Sequence, residues 1–261
     1  MKRLQLFEFE DLPWFPQVVR EAMTDYLAFM GAVEKPYLEF VELLARALER
    51  TGDDTLLDLC SGGGGPALPL IRLLSQRRSA PIRVVLTDLY PNRPRFDLAK
   101  RQGNGLVDCI ENPVDATSVP ESLVGFRLMS NSFHHLPPAT ARACLADAAQ
   151  KRRGIAVCEL VNRSPGSVLQ IGIGTLTMFF VTPFIRPFRW SRLLLTYALP
   201  VVPICTLWDG VVSCLRAYDE DELRELTQGI DDEGYRWEIG RLPIPRTPAA
   251  ITYLIGTPAS A

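Results

Sequence analysis

The sequence has few of the residues from which metal centres and nucleic-acid surfaces are usually built. It contains only two histidines in 261 residues, and none of its six cysteines forms a CxxC pair, so we expect no zinc or iron–sulfur site. Its 28 basic and 30 acidic side chains leave a formal net charge of −2. Proteins that bind nucleic acid usually carry a basic surplus, and this balance therefore argues against such a partner.

The start of the chain lacks the apolar stretch of a secretory signal. Acidic residues interrupt the opening segment MKRLQLFEFEDLPWF, where a signal peptide needs an uninterrupted apolar run. Two of the cysteines, Cys60 and Cys158, lie in apolar runs that are typical of buried strands. We therefore predict free thiols and a cytoplasmic location.

The composition and the order of the predicted elements indicate an α/β fold. Hydrophobic residues make up 47% of the chain and charged residues 22%, which is enough for a large core. Strand and helix patterns alternate from residue 55 to 160, and this predicts a parallel sheet with helices on both faces. Two late strands, near 235–242 and 250–255, are joined by a connection too short for a parallel crossover, so we predict an antiparallel hairpin.

A glycine-rich loop follows the first predicted strand. The segment is Leu56-Leu57-Asp58-Leu59-Cys60-Ser61-Gly62-Gly63-Gly64, and a helical pattern comes after it. Strand, glycines and helix in this order let backbone amides approach a ligand closely. Gly62, Gly64 and Ala67 also fit the dinucleotide pattern G-x-G-x-x-G/A, so an NAD(P)-dependent oxidoreductase is one alternative. Asp58 at the strand end favours a cationic amino-acid moiety over a pyrophosphate.

This segment resembles the first motif of the class I S-adenosylmethionine (SAM)-dependent methyltransferases, which runs acid-x-Gly-x-Gly-x-Gly. Asp58, Gly62 and Gly64 match the motif, while Cys60 replaces its first glycine, as in relatives of the ubiquinone and menaquinone C-methyltransferases. The resemblance implies a Rossmann-like, doubly wound, seven-stranded sheet that ends in the antiparallel hairpin. It also implies SAM as cofactor and methyl transfer as the reaction.

The same resemblance assigns the remaining cofactor residues in the order of the strands. Asp88, followed by Leu89, closes the second strand and is placed to bind the ribose hydroxyls. Asp115 and Ala116 follow the third strand at the adenine position, and Ser130 and Asn131 end the fourth strand beside the methionine moiety. The first-motif residues predicted to hold the cofactor are Asp58, Cys60, Ser61, Gly62 and Gly64. The N-terminal helices are expected to form a lid, to which Trp14, Tyr26 and Tyr37 are aromatic candidates.

Three side chains are candidates for acting on the acceptor. His134 and His135 are the only histidines and follow the fourth strand, where an imidazole could serve as a general base. The alternative is that the pair only packs and caps the next helix. Asp209 is a second candidate base or substrate anchor.

An apolar insertion interrupts the α/β pattern between residues 164 and 216. No charged residue occurs in 164–185 or in 193–208, and Arg186, Arg189 and Arg192 form a basic turn between the two runs. Three interpretations are open: a lid that walls the substrate pocket, a peripheral contact with anionic lipid or a second subunit, and a membrane hairpin. The side chains expected to form an apolar wall are Phe179, Phe180, Trp190, Tyr197 and Trp208.

The sequence divides into four predicted parts. Residues 1–54 form the N-terminal helices, 55–163 the SAM-binding core, 164–216 the insertion and 217–261 the C-terminal part of the core. The predicted function is SAM-dependent methyl transfer to a small, largely apolar acceptor. The alternatives are an NAD(P)-dependent oxidoreductase and a non-enzymatic, membrane-associated SAM-fold protein. The predicted location is the cytoplasm, with the inner face of a membrane as an alternative.

Overall fold

A computed structural model describes residues 2–34, 37–62, 67–78, 80–231, 233–245 and 247–259. Helices and strands alternate through the middle of the chain as the sequence pattern predicts. The helices are α1 Gln17–Glu34, α2 Leu38–Thr51, α3 Ala67–Arg78, α4 Arg93–Gln102, α5 Pro138–Gln150, α6 Pro165–Val181, α7 Trp190–Leu193, α8 Val201–Arg216 and α9 Glu220–Thr227. The strands are β1 Thr55–Asp58, β2 Arg83–Leu86, β3 Val107–Cys109, β4 Phe126–Ser130, β5 Ile155–Glu159, β6 Tyr235–Pro243 and β7 Ala250–Pro258.

The strands form one seven-stranded sheet in the order β3-β2-β1-β4-β5-β7-β6. The first five strands are parallel neighbours, and Asp58 at the end of β1 stands beside Leu86 of β2 and Leu128 of β4. Strand β7 pairs antiparallel with both β5 and β6, which confirms the predicted hairpin. The carboxyl ends of β1, β2, β4 and β5 therefore lie along one edge of the sheet, where ligands bind in open α/β folds.

Two layers of helices cover the sheet. One apolar cluster joins α2, α3 and α4 to one face, with Leu44, Leu74 and Phe96 fully buried. A second cluster joins α5 and α9 to the other face around Phe133 and Leu145. Helix α9 begins with a capping box in which Asp219 and Glu222 bind each other's backbone amides, as the spacing of the two residues predicts.

Helix α1 packs against the insertion. A third apolar cluster joins Val19, Met23 and Tyr26 of α1 to Met178 and Val202 of the insertion. The two N-terminal helices thus belong to different layers, since α2 covers the sheet.

The insertion consists of α6, α7 and α8 with short 3-10 and π-helical turns between them. By length and composition, the helical stretch Pro165–Phe184 could cross a membrane, and 22% of it is buried within the fold. Trp190–Ala198 and Val201–Arg216 satisfy the same test only as a pair, and they are bent by 78° at the break between them. Pro200 stands at this break, and a proline removes a backbone donor that a straight helix needs.

Ion pairs fasten the basic turn of the insertion to α1. Arg192 is buried and donates to Asp25 at 2.8 Å, and Arg189 donates to Glu21 at 2.5 Å. Arg95 on α4 reaches the same Asp25 at 3.0 Å. Helix α1 thus holds Arg189 and Arg192 of this turn by ion pairs, and contact of the turn with anionic lipid stays a prediction. Arg186 remains exposed, and no ion pair joins it to the described part of the chain.

Candidate functional site

The loop after β1 lies at the centre of the ligand-binding edge. Its backbone is held by Ser61, whose amide donates to the Thr87 carbonyl at 3.0 Å and whose hydroxyl donates to the Asp58 carbonyl at 2.8 Å. Cys60 has φ +57°, a left-handed conformation that favours glycine. The cysteine at the position of the motif's first glycine thus adopts a backbone conformation that glycine favours.

Gly62 and Asp88 connect this loop to the end of β2. The Gly62 amide donates to Asp88 Oδ2 at 2.8 Å, and the Tyr90 amide donates to Asp88 Oδ1, also at 2.8 Å. Gly62 has φ +57°, and no atom of the described residues lies within 4 Å of the point where a Cβ would stand. This open space beside a fixed carboxylate suits a sugar and the methionine part of a cofactor.

Asp58 is a buried acid beneath the same loop. Burial raises the pKa of its carboxyl group to about 7; the Ser61 hydroxyl opposes the rise, and the nearby Asp88 carboxylate adds to it. A buried carboxylate without a full countercharge is stabilised by a cationic ligand. The site therefore has a preference for positive charge next to the glycine loop.

The predicted adenine residues lie beyond β3. Asp115 is exposed, and its Oδ1 accepts hydrogen bonds from the Thr117 amide at 2.8 Å and hydroxyl at 2.7 Å. Ala116 is buried and Leu89 is exposed. The roles of these three residues stay predictions, as does that of Gly64, which lies outside the described residues.

The end of β4 meets α2 at this edge. Asn131 has φ +52°, and its side chain donates to the Tyr37 hydroxyl at 2.7 Å and accepts from the Leu160 amide at 2.8 Å. Ser130 is buried beside it. Tyr37 therefore joins the N-terminal region to the methionine end of the predicted site. Trp14, in contrast, is exposed.

The two histidines form a 3-10 turn directly after this strand end. His134 is buried, and its Nδ1 lies 2.6 Å from Glu159 Oε2 at the end of β5. Glu159 Oε1 accepts the amides of Phe133 at 2.8 Å and His134 at 3.3 Å. The imidazole is thus fixed by a carboxylate that is itself fixed by the backbone.

His135 is partly exposed and lies among residues from the beginning and the insertion of the chain. Its Nδ1 is 3.2 Å from Asp11 Oδ1 and 3.1 Å from an Arg216 nitrogen, and its Nε2 is 3.7 Å from Glu8 Oε2. Asp11 and Glu8 raise the pKa of His135 against the lowering effect of burial, which is the largest single influence. Sequence reasoning missed Glu8, Asp11, Glu159 and Arg216, because no local motif links them.

Asp209 binds the N-terminal segment. Its two oxygens accept the amides of Phe9 at 2.7 Å and Glu10 at 3.1 Å. Burial raises its pKa to about 6, although both amide bonds lower it. Trp208 beside it donates to the Phe7 carbonyl at 3.1 Å. Asp209 and Trp208 therefore hold residues 7–10 against α8.

Comparison with known proteins identifies the fold. No protein-family model and no curated protein sequence matches the chain. Solved structures that share its architecture at low identity include the following three. An O-methyltransferase family 2 protein from Planctomyces limnophilus, solved with apigenin, is 14% identical over 95% of this chain and 63% of its own, with a TM-score of 0.53.

The other two are similarly distant. The plantazolicin methyltransferase BpumL, solved with S-adenosylhomocysteine (SAH), is 10% identical over 95% of this chain and 92% of its own, with a TM-score of 0.52. A provisionally assigned O-methyltransferase from Nostoc punctiforme is 14% identical, with a TM-score of 0.50; this chain spans 64% of its length. The chain therefore has the class I SAM-dependent methyltransferase fold, as the sequence motifs imply.

Proposed function

We propose that the chain is a SAM-dependent methyltransferase that acts on a small, largely apolar acceptor. The observation that carries the proposal is the bond between the Gly62 amide and Asp88 Oδ2, with open space beside it and the buried Asp58 beneath. SAM supplies an electrophilic methyl group on a sulfonium. The protein's task is to align the acceptor with that group and to exclude water.

The charge preference of the loop favours SAM over a dinucleotide. Asp58 would repel a pyrophosphate, whereas it attracts the cationic amino-acid part of SAM. Isothermal titration of the purified chain with SAM, SAH and NADH tests the assignment, and release of SAH in the presence of small hydroxylated aromatic compounds tests turnover. We expect micromolar binding of SAM and SAH. Binding of NADH without binding of SAM would favour the oxidoreductase alternative.

The affinity for SAM should rise with pH. Asp58 has a pKa of about 7 without ligand, so it is ionised in about a tenth of molecules at pH 6 and in about nine tenths at pH 8. A cationic ligand prefers the ionised form, and binding below the pKa therefore releases a proton. We expect about tenfold weaker SAM binding at pH 6 than at pH 8, measured by titration calorimetry.

The control for this pH dependence is Asp58→Asn. The amide cannot ionise, so the variant should bind SAM more weakly at pH 8 and with little change between pH 6 and pH 8. Calorimetry in two buffers of different ionisation enthalpy counts the released proton. A variant that keeps the full pH dependence would assign the titration to another group.

We propose that the acceptor is bound on the side where His134 and His135 follow β4. Both imidazoles are oriented by carboxylates, His134 by Glu159 and His135 by Asp11. Asp209 is not proposed as the base, since both of its oxygens already accept backbone amides. The N-terminal segment covers this side, because the Arg3 side chain donates to the carbonyls of His134 at 3.2 Å and Leu136 at 3.1 Å.

We also propose that the insertion places the enzyme on a lipid bilayer, from which an apolar acceptor can be taken. Its outer face is apolar and turned away from the fold: Phe180 is 75% exposed, Phe184 70% and Trp190 78%. Exposed apolar faces of this extent mark interaction sites, and tryptophan is favoured at bilayer interfaces. Further exposed apolar residues of the insertion are Leu169, Ile173, Leu176, Leu194, Leu199, Ile204 and Leu207.

Binding to vesicles should depend on these apolar side chains more than on charge. We expect the chain to sediment with phosphatidylcholine vesicles, and the triple variant Phe180→Ser, Phe184→Ser, Trp190→Ser to lose most of this binding. Raising the salt concentration should weaken binding little, since Arg186 is the exposed arginine of the turn and Arg189 and Arg192 pair with α1.

A matched control replaces three exposed apolar residues outside the insertion. Leu38, Leu98 and Val124 are 53%, 42% and 55% exposed, and their triple serine variant should keep vesicle binding. A wild type that sediments as a dimer and ignores vesicles would show that a second copy covers the face instead.

A further inference from the structure

Glu8, His134 and His135 form a compact group of potential metal ligands. One side-chain donor atom from each residue lies within 4.8 Å of the other two. Glu8 Oε1 is 4.0 Å from His134 Nε2, and Glu8 Oε2 is 3.7 Å from His135 Nε2. His134 is 3% exposed, and its buried Nε2 has no hydrogen-bond partner among the described residues. A buried, unpaired imidazole nitrogen that faces a carboxylate needs an explanation.

The other nitrogen of each imidazole faces a carboxylate. His134 Nδ1 lies 2.6 Å from Glu159 Oε2, and His135 Nδ1 lies 3.2 Å from Asp11 Oδ1. A proton on His134 Nδ1 leaves the Nε2 lone pair of His134 directed toward Glu8. His135 presents its Nε2 lone pair in the same way when its Nδ1 proton points to Asp11, which requires the Arg216 nitrogen at 3.1 Å to give up its contact with Nδ1, because a guanidinium can only donate. This carboxylate–histidine arrangement recurs behind metal-bound imidazoles, where the carboxylate fixes the tautomer and the ring orientation.

The charges around the group favour a cation. Glu8, Asp11 and Glu159 supply three carboxylates, and Arg216 is the arginine that contacts the first two, at 3.3 and 2.7 Å. Arg216 and the Ser213 hydroxyl both bind Glu8 Oε1. Glu8 Oε2, which faces His135, accepts no hydrogen bond from the described residues. This carboxylate oxygen thus remains available to a ligand beside His135 Nε2.

We propose that Glu8, His134 Nε2 and His135 Nε2 bind one divalent transition-metal ion such as Zn²⁺. Two imidazoles and one carboxylate are a known zinc ligand set that leaves a fourth position open. Ligand atoms around tetrahedral zinc are about 3.4 Å apart. The distances between the Glu8, His134 and His135 ligand atoms must therefore shorten by about 1 Å when the ion binds. The proposal does not depend on methyl transfer. With both Nε2 atoms bound to the ion, neither histidine could act as the general base of methyl transfer.

Such an ion would fasten the N-terminal segment to the ligand-binding edge. Glu8 belongs to the segment that Asp209 holds across α8, and the histidines belong to the turn after β4. Metal binding would therefore stabilise the closed position of residues 7–11 over the acceptor side. Sequence reasoning predicted no metal site because it sought CxxC pairs, whereas these ligands come from opposite halves of the chain.

The test uses Zn²⁺ and the metal-free chain. After dialysis against a chelator, we expect one Zn²⁺ per chain by calorimetry and a higher Tm with Zn²⁺. Replacing any one of the three ligands, as in Glu8→Gln, His134→Gln or His135→Gln, should weaken Zn²⁺ binding at least tenfold. Glu159→Gln removes the carboxylate that orients His134 but no direct ligand, and it should weaken binding about tenfold. The matched control Glu121→Gln changes an exposed acid and should leave the affinity unchanged.

A second measurement needs no substitution. Because the chain has only two histidines, the imidazole nitrogen signals of the ¹⁵N-labelled wild type report on both ligands. We expect Zn²⁺ to shift both Nε2 signals while both Nδ1 atoms stay protonated. Zinc held by any of the six thiols would leave these signals in place. Unshifted imidazoles, or no Zn²⁺ binding by the folded chain, would overturn the proposal.

Discussion

Gly62→Val should abolish SAM binding while the chain stays folded. No atom of the described residues lies within 4 Å of the point where a Cβ on Gly62 would stand, so we expect the new side chain to occupy the volume proposed for the cofactor. The positive φ of +57° adds backbone strain of about 1–2 kcal/mol, which lowers stability but does not remove the site. Titration calorimetry with SAM at up to about 1 mM, together with circular dichroism, measures both effects.

The variant Gly52→Val separates the effect of backbone strain from the effect of filling the proposed cofactor volume. Gly52 follows the end of α2 with φ +72°, and no described atom lies within 4 Å of the point where its Cβ would stand. Valine there therefore carries a similar backbone strain away from the loop. We expect both variants to have a lower free energy of unfolding and only Gly62→Val to lose SAM. Full SAM affinity in a folded Gly62→Val variant would remove the loop from the cofactor site.

Local patterns were sufficient to predict the sheet. The buried strand pattern predicts a strand at 82–88, and the structure has β2 at Arg83–Leu86, so that Asp88 falls in the loop just beyond it. The apolar pattern indicates no helix between β2 and β3, although Asn92 caps α4 and a proline stands in its first turn. That helix has few apolar residues, and its periodicity is correspondingly weak.

Contacts between distant segments could not be predicted. Nothing near the basic turn of the insertion in sequence shows that Glu21 and Asp25 on α1 pair with its arginines. The acids of the opening segment counted only against a signal peptide, whereas Glu8 is buried beside both histidines. Burial of such charges depends on tertiary packing, which no local motif encodes.

Asp88→Ala should weaken SAM binding at least tenfold. Asp88 is the predicted ribose ligand, and its two oxygens also bind the amides of Gly62 and Tyr90. Alanine removes the ribose acceptor and releases the glycine loop together, and hydrogen bonds to a charged group contribute about 1.5–3 kcal/mol each. Calorimetric titration with SAM and SAH measures the loss, which should be similar for both ligands because they share the ribose.

Asp108→Ala is the control for the removed charge. Asp108 is an exposed acid on the neighbouring strand β3 whose side chain binds Lys100 at 2.7 Å, so its loss changes the net charge equally without touching the loop.

An acid after the second strand serves NAD-binding and SAM-binding folds alike, and Asp88→Ala alone cannot tell them apart. Each variant is therefore titrated with NADH as well as SAM. Suppose that the wild type binds NADH tightly, and that Asp88→Ala weakens NADH binding but leaves SAM binding unchanged. The methyltransferase proposal then fails, and the oxidoreductase alternative takes its place.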